Sequence, residues 1–389
     1  MKLPAHYALR NLRRRPWQSG ATALGIAIVV FAAVLMLSLS RGLFGRLDVT
    51  GSSDNLLMIS RKGQNAMFSN IEPSEVVAIS SMPNLAVNAA GDPLVSPEIL
   101  HISMVRAVAM NSRAKASVSI RGVSPMAFEV HDTISVSEGR LPTQGTFEIL
   151  AGAMSHIKLG VPVEMMAVGK DVRFEGSDWT IVGRFTDNES LIESELWTPQ
   201  DTLMTVMRRR THSLVVAKFT DAERAQDATK LFSQSGAVEK YFKGWSEREY
   251  YGQFTDGLAW VFWLSVVMVC LVALAGLLIG INTMYTVVIN RMKEIATHRI
   301  LGFSKFDITM SLLTESVIIA LLGGMLGSAG GMYFDEMPMK LSYGAFRLSV
   351  DWLVVSAGMG LALTVGVLGA LLPTIKGLRL TIIEALHHD

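Results

Sequence analysis

The sequence predicts an α-helical membrane protein with four transmembrane helices per chain and an extracytoplasmic α+β domain inserted between helices 1 and 2. Three observations predict it. Half of the 389 residues are hydrophobic and only 18% are charged, against about 25% charged in soluble domains. Four apolar runs reach the roughly 20 residues that a membrane-crossing helix needs. Between the first and second runs lies a long stretch of mixed composition, residues 45–255, which is enough chain for a core of its own. The formal net charge of +1 carries no bias toward nucleic acid. The single cysteine, Cys270, falls inside an apolar run, so neither an intrachain disulfide nor a thiolate metal cluster is available.

Residues 1–18 alternate apolar positions with Lys2, Arg10, Arg13, Arg14 and Arg15, which suits a cytoplasmic amphipathic helix lying on the inner membrane surface. The first span is 19–44. Its run GATALGIAIVVFAAVLMLSLS is long for a cleaved signal peptide and no A-x-A site follows, so a retained span is expected. The second, 256–290, is longer than a bilayer requires, and part of it is expected to project as a stalk. A charged turn, 291–306, separates it from the third span, 307–334. A short outer loop, 335–349, leads to the fourth span, 350–373, closed by Pro373, and a tail, 374–389. Lys and Arg gather before span one, between spans two and three (Arg291, Lys293, Arg299, Lys305) and after span four (Lys376, Arg379). With four crossings all three clusters share one side. The positive-inside rule makes that side, and both termini, cytoplasmic. Trp260, Trp263 and Trp352 then fall at the outer interface and Trp17 at the inner one, as aromatic belts prefer.

Residues 45–255 read as β-α-β units at both ends with a β-rich insertion over about 110–200. Strand patterns occur at 55–62, 101–110, 114–121, 212–219 and 238–245, with a short helix at 72–82. DVRFEGSDWTIVGRF, 171–185, reads as a hairpin turning at Gly176-Ser177. Thr220 and Glu223 have capping-box spacing at the start of a helix over 221–234.

Catalytic patterns are missing. The sequence has no G-x-x-x-x-G-K-[ST] phosphate loop, no H-E-x-x-H and no G-x-S-x-G. The chain is therefore expected not to be an enzyme and to hold no cofactor. His6, His101, His131, His156 and His212 lack metal-ligand spacing, and His387 and His388 suit a surface tail. Asp187, Glu189, Glu193 and Glu195 form an acidic patch that reads as a solvated loop, with a cation site as the sharper alternative. Glu315 lies about two turns into the third span, where a carboxylate is costly and usually faces the bundle or a polar partner, with a group close enough to the inner interface to reach water as the plain alternative. Gly323, Gly327 and Gly331 are spaced four apart with Gly324 beside them. That stripe permits close helix approach within one chain or across a dimer.

The charged turn carries more than charge. Met292, Ile295, Ala296, Ile300, Phe303 and Phe306 recur at helical spacing, and Glu294 and His298 lie one turn apart on another face. Such an element can dock in a groove of a soluble partner. Its plain alternative is a loop that obeys the positive-inside rule, which requires neither the apolar stripe nor the break at Gly302. The stretch RMKEIATHRILGFSKFDITMSLLTESVIIALLGGMLG, 291–327, resembles the signature of FtsX-like and MacB-type permeases of the type VII ABC transporter family: Arg-x-x-Glu-Ile, Leu-Gly, Glu-Ser, then Gly-Gly-x-x-Gly. ALRNLRRRPWQSGATALGIAI, VSPMAFEVHDTISVSEGRLP, VGKDVRFEGSDWTIVGRF and LLPTIKGLRLTIIEAL are similar to further segments of that family. In the last of these Ile383 stands where the family has proline.

The resemblance implies a MacB-like periplasmic domain and an inner-membrane subunit working as a homodimer or with a paralogous permease. It implies two copies of a separate ABC ATPase that bind ATP and Mg, and it leaves room for a periplasmic adaptor. It also implies mechanotransmission to the periplasmic domain, for export or extraction of a lipid, lipoprotein, peptide or drug-like substrate. Under it, Arg291, Met292, Glu294, Ile295, His298, Ile300, Gly302 and Phe303 form the ATPase-coupling helix. Gly323, Gly324, Gly327, Gly331 and Glu315 serve helix packing or the dimer. The alternative from another class is a signalling or scaffold subunit that regulates a periplasmic enzyme such as a cell-wall hydrolase.

Overall fold

The computed structural model describes residues 16–108, 115–234, 241–341 and 344–379. The expected amphipathic helix 1–18 and the tail 374–389 therefore lie mostly outside the described residues. In chain order the elements begin with α1 (Pro16–Val49), β1 (Asn55–Ser60), α2 (Pro73–Ser80), β2 (Val95–Ala107) and β3 (Ala116–Val123). Next come α3 (Ala127–Val130), β4 (Ser135–Gly139), β5 (Glu148–Gly152), α4 (Ser155–Leu159), β6 (Asp171–Phe174) and β7 (Ser177–Thr186). β8 (Leu196–Pro199), α5 (Gln200–Met207), β9 (Leu214–Lys218), α6 (Ala222–Gln234) and β10 (Phe242–Ser246) follow. The chain then forms α7 (Glu247–Asn290), α8 (Met292–Ile300), α9 (Lys305–Met332), β11 (Pro338–Leu341), β12 (Gly344–Arg347) and α10 (Trp352–Arg379). Segments of α1, α7, α9 and α10 are long and apolar enough to cross a membrane.

Two compact units result. Among the described residues, one is helical and holds 16–42, 259–337 and 348–379; the other is α+β and is drawn from 43–258 and 338–347. In the helical unit, glycines decide how closely the helices pack. A Cβ on Gly323 would lie 2.6 Å from the Ala23 carbonyl, and Gly327 and Gly331 abut Ala27 and Val34 of α1 in the same way. Gly324 faces α10 instead, 2.9 Å from the Ala362 Cβ. The stripe thus packs this chain's own helices, as small residues do where lipid offers no hydrophobic drive. Pro373 does not end the last helix, which continues through it to Arg379.

In the α+β unit, β2 is the common element. Its first half pairs antiparallel with β9, which joins β1 and β10 in one sheet. Its second half pairs with β3 and β6. From β3 the order runs β8, β5, β7, and β6 pairs both β7 and β2, so β2, β3, β8, β5, β7 and β6 close on themselves as a six-stranded barrel. Ile99, Val118, Ile120, Ile149, Phe174, Trp179 and Ile181 fill it. Leu56, Met58, Val215 and Ala217 form a separate core with Ile79 of α2 and Ala225 and Ala228 of α6. The β-rich part begins at 95 rather than near 110, because one 13-residue strand serves both sheets. Local details also differ from expectation. The 171–185 hairpin turns at Glu175-Gly176, where both φ values are positive (48° and 81°), as a type I′ turn requires. Helix α6 is capped by Asp221, which accepts from the Arg224 amide, and not by Thr220. The loop between α9 and α10 is a hairpin, β11–β12, whose Ala345 and Phe346 are buried.

Candidate coupling site

The charged turn folds as α8, nine residues long. Its end is a Schellman motif: Gly302 takes φ +94°, its amide donates to the Arg299 carbonyl and the Phe303 amide to that of His298. Ser304 and Asp307 then cap one another reciprocally and start α9. Among the residues expected to form this site, the structure separates two groups. Met292, Ile295 and Ala296 are buried, and Ile295 shares a core with Met284, Val288, Ile308, Leu312 and Phe303. Phe303 also lies edge-on to the His298 ring at 5.6 Å. These side chains hold α8 against its own helices. Glu294 is exposed, and Ile300, Leu301 and Phe306 are 65%, 64% and 67% exposed. The apolar stripe read from sequence is therefore divided between an inward face and an open rim.

Arg291 immediately precedes α8 and is buried. Its guanidinium donates two parallel bonds to the Glu315 carboxylate, at 2.7 and 3.0 Å. This is the polar partner that a carboxylate in an apolar helix demands. Nearby, the Ser316 hydroxyl donates to the Gly366 carbonyl at 2.7 Å. Arg291 is thus a structural tie between the charged turn and α9.

A second buried polar cluster, in the α+β unit, carried no local sequence signal. Arg121 of β3 donates twice to Glu195, at 2.7 and 2.9 Å, once to Glu98 of β2 at 2.7 Å and once to the Tyr251 hydroxyl at 2.9 Å. The other Glu98 oxygen meets His131 Nε2 at 2.8 Å, and His131 Nδ1 lies 3.4 Å from Glu247. Glu247 in turn accepts from Asn55 Nδ2 at 2.9 Å. Glu247 and Tyr251 are in the first turns of α7. Burial alone would push His131 down, but the Glu247 and Glu98 carboxylates outweigh it and hold the ring at about 9. Burial would likewise raise Glu98; His131 and Arg121 override it and hold that carboxyl at about 2. At neutral pH the cluster is therefore an ion network. Its members span 55 to 251 in sequence, so only the fold assembles them.

The acidic patch is likewise not a solvated loop. Asp187, Glu193 and Glu195 are buried, while Glu189 is exposed. One Glu193 oxygen accepts the Asp187 and Glu189 amides at 2.8 and 3.0 Å, and Glu195 is engaged by Arg121 and by Trp197 Nε1. No group of His, Cys, Asp and Glu suited to a metal occurs among the described residues.

Residues 19–234 match the model of the MacB-like periplasmic core domain, and 266–382 match that of the FtsX-like permease C-terminal region. The chain belongs to the MacB/FtsX-type family of ABC transporter permeases. It is 22% identical to the ABC transporter permease YvrN of Bacillus subtilis, over 95% of each chain, and 22% identical to the permease YknZ of the same organism, over 71% of each. It is also 22% identical to the macrolide export ATP-binding/permease protein MacB of Neisseria meningitidis, over 70% of this chain but only 44% of that longer protein. Among solved structures, the periplasmic region of MacB from Actinobacillus actinomycetemcomitans aligns with 54% of this chain and 95% of its own, at 14% identity and a TM-score of 0.38. The four apolar helices of this permease make it a multi-pass membrane protein, with the MacB-like domain between the first and second.

Proposed function

We propose that this permease receives the work of ATP hydrolysis from a separate ATPase subunit through the segment 291–306. It passes that work to its periplasmic domain by mechanotransmission, to export or extract a lipid, lipoprotein, peptide or drug-like substrate. Two permease subunits and two ATPase subunits would form the working assembly in the bacterial inner membrane, with both termini cytoplasmic and ATP and Mg held by the ATPase. The observation that carries this reading is the open rim of Ile300, Leu301 and Phe306 beside Glu294 and Lys305. It lies within the matched FtsX-like region. Apolar side chains framed by charges suit a groove on a soluble partner.

The test follows from the division of the stripe. Phe303 belongs to this chain's own core, so its removal would confuse folding with docking. The double variant Ile300→Asp/Leu301→Asp alters only the rim. Co-purification with a co-expressed ABC ATPase subunit from the same genome, and ATP turnover of the pair, should both fall at least about tenfold, the loss of roughly 1.4 kcal/mol or more of contact free energy. Normal assembly and turnover in this variant would remove the docking role.

A further inference from the structure

The α+β unit is entered and left at only a few places: after residue 42, after 258, and on either side of the hairpin 338–347. The elements that run through these places are each tied to one short segment. From the end of α1, Arg46 donates to the Glu189 carbonyl at 2.7 Å, and the Thr50 hydroxyl oxygen accepts the Leu191 amide at 3.0 Å. From the hairpin, the Ala345 amide donates to the Ser194 hydroxyl oxygen at 2.8 Å. Gly344 packs so closely on Leu191 that a Cβ would sit 3.1 Å from it. From the start of α7, Tyr251 reaches Glu195 through the shared Arg121 guanidinium.

The segment is also braced internally. Glu193 closes on the Asp187 and Glu189 amides, and the Ser190 hydroxyl donates to Asp187 while accepting the Ile192 amide. Asn188 and Glu189 take positive φ, 47° and 61°, a conformation that asparagine tolerates but that is uncommon for glutamate. Its carbonyls bind the end of β5 and the residues just after it: the Gly152 amide donates to Glu195 and the Met154 amide to Glu193, and Gly152 has no room for a side chain against Glu193. A solvated loop would need none of this.

We propose that residues 187–195 are a junction that fixes the end of α1, the start of α7 and the β11–β12 hairpin relative to the barrel, so that a displacement of any one is shared by the others. In transport this junction would distribute the stroke within the periplasmic domain, a role that rests on the permease reading; the mechanical linkage itself does not. The apolar contacts of the domain would allow its entry elements to slip past one another. Directed hydrogen bonds converging on a nine-residue segment do not.

Hydrogen exchange of the full chain in lipid nanodiscs tests the linkage. Glu193→Gln keeps the size of the brace and weakens its acceptor. Thr50→Val is a milder cut at one spoke, for use should Glu193→Gln fold poorly. Loss of one such bond corresponds to roughly fivefold faster local opening. With either variant, amides of 187–195 should exchange at least about fivefold faster, and so should Ala345 in the hairpin and the amides of the first turns of α7. Acceleration confined to 187–195 would overturn the junction. A second arm separates the two readings. If the wild-type chain leaves ATP turnover of the co-expressed ABC ATPase subunit unchanged, the permease coupling fails whatever the exchange rates. If turnover depends on the wild-type chain and the exchange effects stay local, the junction alone fails.

Discussion

Replacing His131 by Gln removes a buried cation from between Glu98 and Glu247. The magnitude follows from where the ring titrates. It is held at about 9 against an ordinary 6.5, and each unit of difference is worth about 1.4 kcal/mol, so the protonated ring contributes about 3 kcal/mol to the folded α+β unit. The sign is set by the direction of the shift. A raised value means that the contribution is complete below pH 6.5, declines through pH 7 to 9, and is gone above that. Glu98 reports the same contact from its other side, so the two shifts are not added. Its lowered value, about 2, means its contribution is complete above about pH 4.5 and is lost as pH falls toward 2. Trp197 lies 5.6 Å edge-on from the His131 ring and provides a fluorescent reporter of unfolding. For a unit of roughly 200 residues, about 3 kcal/mol corresponds to a fall of about 6–12 °C in Tm. Wild-type Tm measured in detergent should drop by that amount between pH 6.5 and 9.5. His131→Gln should start lower and vary little over the same window. Parallel pH profiles for the two proteins would refute the reasoning, because groups other than His131 would then carry the dependence.

Three further outcomes are expected. Glu315→Gln leaves Arg291 buried beside a neutral partner and should cost about 3–5 kcal/mol, seen as a lower Tm in detergent, whereas the paired change Arg291→Met/Glu315→Met should cost less; equal losses would deny that the two residues act as a pair. Gly327→Leu drives a side chain into Ala27 and Val30 of α1, and the yield of folded protein should collapse, while Gly20→Ala, with open space around it, should behave as wild type. Arg140→Ala removes two bonds to Glu148 on an exposed surface and should leave Tm nearly unchanged, whereas removing a member of the buried network should lower it clearly; a comparable fall would mean that burial does not set the strength of these ion pairs.

The helices were legible because each apolar run is long enough to carry its own signal, and the ends were less so. Helix α1 runs to Val49 and α7 starts at Glu247, beyond the apolar runs, because polar residues there are held by the α+β unit rather than by lipid. Spacing correctly marked α8 as helical with an apolar stripe, but spacing alone does not say which residues of a stripe face inward; neighbours from α7 and α9 decide that for Ile295 and Phe303. Glu315 announced a partner without naming it, and Arg291 lay within the same motif. The Glu98–Arg121–His131–Glu247 network was not legible at all. Each residue sits in an ordinary strand, turn or helix start, and only the convergence of β2, β3 and the start of α7 turns ordinary charges into a buried set. The acidic patch misled for the opposite reason, since clustered carboxylates in sequence read as solvated until backbone amides and Arg121 are seen to fold around them.

The two ion clusters share a feature that neither shows alone. Glu247 lies in the first turn of the 44-residue helix α7, and Arg291 follows its last residue. An acid at the N-terminus and a base at the C-terminus both complement the helix dipole, but that effect is under about 1 kcal/mol at an exposed end and would not require burial. Burial is explained by position. An apolar contact is non-directional and tolerates rotation of a helix about its axis, whereas the bidentate pairing of Arg291 with Glu315, and the Asn55 bond to Glu247, each fix one azimuth. Both ends of α7 are therefore keyed in rotation as well as in position. In the proposed coupling role this is what a stalk needs, because a rod free to turn at either end cannot deliver a twist. Replacing the Arg291–Glu315 pair by two methionines should then leave the helical unit folded while reducing the coupling between ATP turnover and any movement of the periplasmic domain. Retained coupling in that folded variant would show that the pair serves stability alone.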